Sequence, residues 1–185
     1  MSLNDSQKVE LLKLARASIQ EGLKSGHPLQ IDLHQYDPAL ALKRASFVTL
    51  EHGGQLRGCI GMLEAIRPLV EDIAENAFAA AFRDPRFPPL TEHEYADLDV
   101  HISILHPAEA IHFVSEQHLI AQLQPGIDGL ILQEGYRRGT FLPSVWEQLP
   151  DPAQFLRHLK QKAGLPADYW SDTLKISRYR TEMFS

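Results

Sequence analysis

Apolar residues in this chain follow two different periods, and each period predicts a different element. Near the N-terminus they recur every three to four positions, which is typical of one face of an amphipathic helix. These residues are Leu12, Ala15, Ile19 and Leu23. We therefore predict an N-terminal helix over residues 5–25, ended by Gly26.

A second helical pattern follows Pro68 and is rich in alanine. Leu69, Ile73 and Ala80 share one face of it, and a proline fits the first helical turn because its missing N–H would be unpaired there. The residue before a proline is disfavoured in helical geometry, so the Asp84-Pro85 step should end the helix. The small alanine side chains predict close packing on whatever the helix covers.

Other segments have the period of β-strands. Residues 47–62 and 130–142 each contain two β-rich runs around a glycine-containing turn, which predicts two antiparallel hairpins. Val100, Ile102 and Ile104 alternate with other residues in "VHISIL", as in a half-buried strand. Residues 173–183 alternate again and predict a final strand.

These elements indicate an α+β fold. Helices and hairpins are mixed without repeated βαβ units, so we expect an antiparallel sheet of about six strands, built from hairpins and flanked by helices. A length of 185 residues suits a single domain over residues 1–185. The middle section, about 66–128, could form a smaller lobe within it.

Composition excludes several classes of partner. A net charge of −6 with dispersed basic residues argues against a nucleic-acid surface. No apolar run approaches the roughly 18 residues of a membrane span, and the first residues lack the pattern of a signal peptide. With a single cysteine no disulfide can form within the chain. We therefore predict a cytoplasmic protein that binds neither nucleic acid nor membrane.

That cysteine lies in the hexapeptide "LRGCIG" at residues 56–61. On a strand, Arg57, Cys59 and Gly61 would share one face. Leu56 and Ile60 would lie on the other face, which should be the core face because it carries the apolar side chains. Arg57 and Cys59 would then face a cleft or a second packing layer.

Two interpretations of Cys59 stay open. Glycine within a strand often marks the close approach of a ligand or another backbone. Gly58 and Gly61 therefore fit a strand surface without side chains on which a ligand can lie. Alternatively, Cys59 is a small hydrophobic residue beneath the alanine-rich helix. A nucleophilic thiol would need a cationic or basic neighbour, and the candidates are Arg57 and the imidazole of His101.

The loop "DPRF" at residues 84–87 follows the alanine-rich helix and is stiffened by proline. Asp84 and Arg86 could anchor each other, or could offer an acid and a guanidinium to a ligand. We expect Arg57, Cys59 and this loop, including Phe87, to line one shallow pocket in which Cys59 is partly covered.

Neither a metal nor a cofactor is predicted. The chain has nine histidines but no His-x-His, no HExxH and no cysteine pair. It also has no P-loop and no Gly-x-Gly-x-x-Gly motif.

Six motifs in order resemble one known family, the AMMECR-one domain family, whose bacterial and archaeal members are called AmmeMemoRadiSam system protein A. The motifs are "LRGCIG", "AAFRDPRFPPLT", "VHISIL", "DGLIL", "RRGTFLPSVW" and "KAGLPADYW". The resemblance runs from about residue 47 to the C-terminus. It implies an α+β fold with an antiparallel sheet, flanking helices and a smaller lobe.

The resemblance also implies partners, because prokaryotic members are typically encoded beside a Memo-like protein and a radical-SAM protein. It implies no established reaction. We therefore expect an accessory or adaptor protein with a small pocket around "LRGCIG" that could take a small-molecule ligand. The alternative is a small-molecule enzyme with Cys59 as its nucleophile. The expected pocket residues are Arg57, Gly58, Gly61, Asp84, Arg86, Phe87 and His101.

Overall fold

The computed structural model of the chain describes residues 2–185, which divide into two compact units. The first unit extends to Leu105 and includes Glu182–Ser185 from the C-terminal end, and the second unit is His106–Thr181. The α-helices are α1 (Asp5–Ser25), α2 (Leu69–Phe82), α3 (Glu92–Tyr95), α4 (Glu116–Gln122) and α5 (Pro152–Lys162). The strands are β1 (Ser46–His52), β2 (Gln55–Gly61), β3 (Leu98–Leu105), β4 (Glu109–Ala110), β5 (Gly129–Glu134), β6 (Arg137–Phe141), β7 (Lys175–Tyr179) and β8 (Thr181–Phe184).

The first unit is a four-stranded sheet, in the order β2-β1-β3-β8, packed against α1 and α2. β1 pairs antiparallel with β2 on one side and with β3 on the other. Alternate residues of β1, among them Val48 and Leu50, are fully buried in the same core as Ile73 of α2. This arrangement follows from the two-residue period of a strand, which gives the sheet one apolar face for the helices to cover.

The predicted helix over residues 5–25 is confirmed. Asn4 caps its first turn in a reciprocal capping box with Gln7, and Gly26 closes it in the left-handed conformation. Thr91 and Glu94 form a capping box at the start of α3. α2 ends at Phe82, just before the Asp84-Pro85 step.

The second unit holds the other sheet, in the order β4-β7-β5-β6. Its hairpin, β5–β6, is antiparallel as predicted. The core includes the indole of Trp146 stacked on the ring of Phe155, with centroids 3.7 Å apart. The Trp146 Nε1–H donates to the carbonyl of Asp128 at 2.7 Å, so this buried ring has a partner for its polar atom.

The α+β class is confirmed, but the strands form two four-stranded sheets rather than one sheet of about six. The prediction of one strand over residues 173–183 is wrong in this respect. The chain leaves β7 at Tyr179 and enters β8 at Thr181, and the two strands belong to different sheets. Strand alternation continues across Arg180, so the sequence pattern has no mark of the change of sheet.

The smaller of the two units is His106–Thr181, whereas the sequence had pointed to about residues 66–128 for a smaller lobe. The helix α2 belongs to the first unit because Ala74, Ala77 and Ala80 are buried in its core. Among the described residues, no helix combines the length and the apolar character that crossing a bilayer requires.

Candidate functional site

The hexapeptide "LRGCIG" forms most of β2, and a β-bulge divides it. Leu50 of β1 lies opposite Gly58, whereas the next residue, Glu51, lies opposite Leu56. Arg57 is therefore the extra residue on β2. A bulge interrupts the alternation of side chains, and for this reason the prediction that Leu56 faces the core is wrong, since its side chain is exposed.

From Gly58 onward the predicted alternation holds. Gly58 faces α2, and a Cβ built on it would lie 2.0 Å from the carbonyl oxygen of Ala80. Ile60 packs against the same core. Glycine is thus required at position 58 because the backbone of β2 lies against the backbone of α2. The close approach of another backbone is one of the two explanations expected for a glycine within a strand.

Cys59 lies on the opposite face from α2 and is half-buried. Its cross-strand partner is Thr49, and the thiol Sγ lies 3.2 Å from Thr49 Oγ1 in a hydrogen bond. The backbone N–H of Cys59 donates to Asp84 Oδ2 at 3.0 Å. Cys59 is therefore not packed beneath the alanine-rich helix, because that face of β2 belongs to Gly58 and Ile60.

Asp84 joins the loop to β2. Its carboxylate is buried and also accepts from the backbone N–H of Arg86 at 3.1 Å and from Arg86 Nη2 at 2.7 Å. The hydrogen bond from the Arg86 guanidinium, helped by the N–H groups of Cys59 and Arg86, holds the pKa of Asp84 well below its usual range despite burial. Asp84 is thus an anchoring anion, and the Arg86 side chain above it is 54% exposed.

Arg57 is buried and fixed by α3 and the loop before it. Its Nε donates to Glu94 Oε1 at 2.7 Å, and its Nη2 donates to the Pro88 carbonyl at 2.8 Å. The Nη1 atom is also buried and has no hydrogen-bond partner in the described part of the chain. The guanidinium groups of Arg57 and Arg86 lie 5.8 and 5.4 Å from the ring centre of Phe87, respectively. The structure therefore brings Arg57 and the loop 84–87 together as expected.

His101 lies on the same sheet face as Cys59 but one strand farther away. It is the cross-strand partner of Thr49 on β3, so Thr49 of β1 stands between the imidazole and the thiol. His101 Nε2 lies 3.4 Å from Glu51 Oε2, although their geometry makes no hydrogen bond. The imidazole is therefore not placed to take a proton from Cys59 directly, which requires hydrogen-bond distance.

A buried polar cluster below the end of β2 was missed by the sequence analysis. Asp72 of α2 accepts from the backbone N–H and the hydroxyl of Ser46, at 2.9 and 2.6 Å, and from Asn76 Nδ2 at 2.9 Å. Its other oxygen accepts from Arg67 Nη2 at 2.8 Å. A Cβ on Gly61 would lie 2.4 Å from the Ser46 carbonyl oxygen, so the end of the hexapeptide lies directly against Ser46. The hydrogen bonds from Ser46 to Asp72 therefore hold β1 in place beside the hexapeptide. The one available signal was a charged residue on the apolar side of α2.

The site thus consists of a rigid strand, a half-buried thiol and two arginines that already have carboxylate partners. Within residues 2–185, no group of three or more His, Cys, Asp or Glu side chains is arranged to hold a metal ion. The most exposed charged group beside the thiol is Arg86, which suits the binding of an acidic group more directly than it suits acid–base chemistry.

The free energy of unfolding should decrease at acidic pH, and Glu94 should be one cause of the decrease. The hydrogen bond from Arg57, with those from the Thr91 N–H and hydroxyl, lowers the pKa of Glu94 from 4.5 to about 2. A depressed folded-state pKa stabilises the protein above the unfolded value, and this contribution is lost as pH falls from 4.5 to about 2. We expect Glu94→Gln to reduce the change in the free energy of unfolding over this pH range by about 1 kcal/mol. The effect is no larger because the Glu94 carboxylate is partly exposed, and solvent screens its interaction with Arg57.

The measurement is the free energy of unfolding in urea at several pH values between these limits. Glu92→Gln, at an exposed neighbouring carboxylate, is the matched control and should keep the wild-type slope. Parallel profiles for wild type and Glu94→Gln would contradict the role given to the Arg57–Glu94 pair.

Comparisons with known proteins agree with this architecture. The family model described as AMMECR1 matches residues 12–184. A protein of Methanothermobacter thermautotrophicus is 38% identical over 176 residues, covering 94% of this chain and 91% of the relative. Protein MJ0810 of Methanocaldococcus jannaschii is 38% identical over 177 residues, covering 94% of this chain and 87% of the relative. The crystal structure of uncharacterized protein PH0010 from Pyrococcus horikoshii matches with a TM-score of 0.91 at 36% identity, covering 98% of this chain and 92% of that one.

Proposed function

Because the chain belongs to the AMMECR1 family, we propose that it is an accessory or adaptor protein of the AmmeMemoRadiSam type, working with a Memo-like protein and a radical-SAM protein. In this proposal the surface around "LRGCIG" and the loop 84–87 binds an acidic group of a small ligand or of a partner, in the cytoplasm. Arg86 makes the contact, and Cys59 contributes shape.

The observation that carries this proposal is the difference in burial between the two arginines near Cys59. Arg57 is buried and already pairs with Glu94, whereas Arg86 is anchored by Asp84 and remains 54% exposed. An anchored but exposed guanidinium loses little side-chain freedom when it binds a carboxylate or phosphate. The hydrogen bond between the Thr49 hydroxyl and the Cys59 thiol, together with the position of His101 one strand farther away, fits a supporting role for the thiol.

A second candidate function is that of a small-molecule enzyme with Cys59 as nucleophile. One observation favours it: Asp84 Oδ2 accepts from both the backbone N–H of Cys59 and Arg86 Nη2, so the Arg86 guanidinium is held close to the residue that carries the thiol. A cation that interacts with a thiolate stabilises it and increases its availability for attack. The two candidates therefore predict different consequences of removing the thiol.

The test is co-purification of the tagged chain with the Memo-like and radical-SAM proteins encoded in the same genome. We expect wild type and Cys59→Ser to retain both partners alike, because serine preserves the size and the hydrogen bond of the thiol. Arg86→Gln should weaken retention about tenfold, as expected for an anchored guanidinium that meets an acidic group. Arg83→Gln removes the same charge from an exposed position nearby and is the matched control.

Two results would reject the adaptor proposal. One is the failure of the wild-type chain to retain either partner. The other is a Cys59→Ser variant that keeps the fold and the partners but abolishes turnover by the assembled system, which would make Cys59 the nucleophile. Circular dichroism of each variant distinguishes lost binding from lost folding.

A further inference from the structure

The second unit contains a cleft lined by basic side chains that has no part in the proposed function. Its volume is about 630 Å³, which is in the range of pockets for small organic molecules. The lining residues all belong to His106–Thr181. The basic ones are His106, His112, Arg178 and Arg180.

Pairing at the edge of the second sheet brings these groups together from distant parts of the chain. β4 pairs antiparallel with β7, with Glu109 opposite Arg178. Just before β4, the backbone N–H of His106 donates to the carbonyl of Arg180 at 2.9 Å. Both chain segments are therefore fixed by backbone hydrogen bonds, and the cleft between their side chains is part of the fold.

The charges in the cleft are only partly neutralised. Arg178 Nη1 lies 3.4 Å from Oδ2 of the fully buried Asp128, which holds this arginine in place. The side chains of Arg180, His106 and His112 have no hydrogen-bond or ion-pair partner among the described residues. Glu109 is the one carboxylate in the lining. Guanidinium and imidazole N–H groups without a protein partner are donors that can bind an oxyanion.

We propose that this cleft binds a small organic dianion, namely a phosphate monoester or a dicarboxylate. Arg180 supplies a planar fork of donors that matches a phosphate or carboxylate group, and Arg178 supplies a second positive charge. The imidazoles of His106 and His112 offer further polar contacts, and Ile111 and Ala110 in the lining accept the carbon skeleton. Because Asp128 engages only Nη1 of Arg178, two guanidinium groups can each donate to an oxyanion group in this cleft, and a dianion uses both where a monoanion such as acetate uses one.

The experiment titrates the ¹⁵N-labelled full chain with glycerol 3-phosphate, succinate or acetate and follows backbone amide shifts by NMR. We expect saturable shifts at residues 106–112 and 178–180 with at least one dianion, and at least tenfold weaker binding of acetate. Shifts with glycerol 3-phosphate alone would identify a phosphate site, and shifts with succinate alone would identify a dicarboxylate site.

The variant Arg180→Gln tests the assignment without removing a contact of the fold, since within residues 2–185 the Arg180 side chain has no hydrogen-bond or ion-pair partner. Arg180→Gln should weaken dianion binding about tenfold. Arg157→Gln, which removes an exposed arginine from α5 of the same unit, should leave it unchanged. Equal affinity in Arg180→Gln and Arg157→Gln, or no saturable shift with either dianion, would overturn the proposal. The titration uses neither the Memo-like nor the radical-SAM protein, so its outcome is independent of the adaptor proposal.

Discussion

The substitution Gly58→Ala should destabilise the first unit by about 3 kcal/mol or more, which is the upper part of the range for overpacking. The added Cβ would lie 2.0 Å from the carbonyl oxygen of Ala80 and 2.9 Å from its carbonyl carbon. Both atoms belong to the backbone of α2, so no rotamer change can relieve the contact. Either β2 or α2 must move, and both are held by the buried core. The measurement is the free energy of unfolding in urea.

Two further variants separate this contact from general sensitivity of the strand. Cys59→Ser changes the next residue, which faces away from α2, and should cost about 1 kcal/mol or less. Ala80→Gly should not rescue Gly58→Ala, because the clash is with the backbone of Ala80 and not with its methyl group. A Gly58→Ala protein with the wild-type unfolding midpoint would show that β2 and α2 are not in contact here.

The substitution Asp72→Ala should cost about 3 kcal/mol through the buried polar cluster. Removing the carboxylate leaves the backbone N–H and hydroxyl of Ser46 and the amide of Asn76 without their acceptor. It also leaves Arg67 without the partner of its ion pair. Breaking a buried pair by removing one partner is costly because the other groups stay desolvated.

The urea midpoint should therefore fall for Asp72→Ala while the slope with denaturant stays the same. Asp72→Asn, which keeps an acceptor oxygen and the side-chain size, should lose less. Glu75→Ala, on the same helix at a half-exposed position, should stay within about 0.5 kcal/mol of wild type. An Asp72→Ala protein as stable as Glu75→Ala would contradict the role given to this cluster.

Much of the local structure could be predicted because it depends on neighbours in the sequence. The helix α1 is specified by its apolar stripe, its cap at Asn4 and the glycine at its end. Both hairpins follow from short turns that leave no room for a parallel crossover. The association of Arg57 with the loop 84–87 was also predictable, since α2 directly follows β2 and returns the chain beside it.

Interactions between distant residues were harder to predict. A bulge depends on the register of β1 against β2, and one extra residue at Arg57 was enough to expose Leu56. The Asp72 cluster joins α2 to Ser46, which is 26 residues earlier. In the sequence, Asp72 differs from an ordinary acidic residue in the first turn of a helix only by its place on the apolar side of α2.

By itself the sequence determined the α+β class, the family, the helix α1 and the two hairpins. Only the tertiary structure decided that the strands form two sheets, that the chain changes sheet at Arg180, and that Cys59 faces Thr49 rather than α2. Only the tertiary structure also separated the anchored, exposed Arg86 from the buried Arg57. The physical reason is that side-chain periods and caps are properties of a short segment, whereas register, sheet membership and burial are set by contacts between segments far apart in the chain.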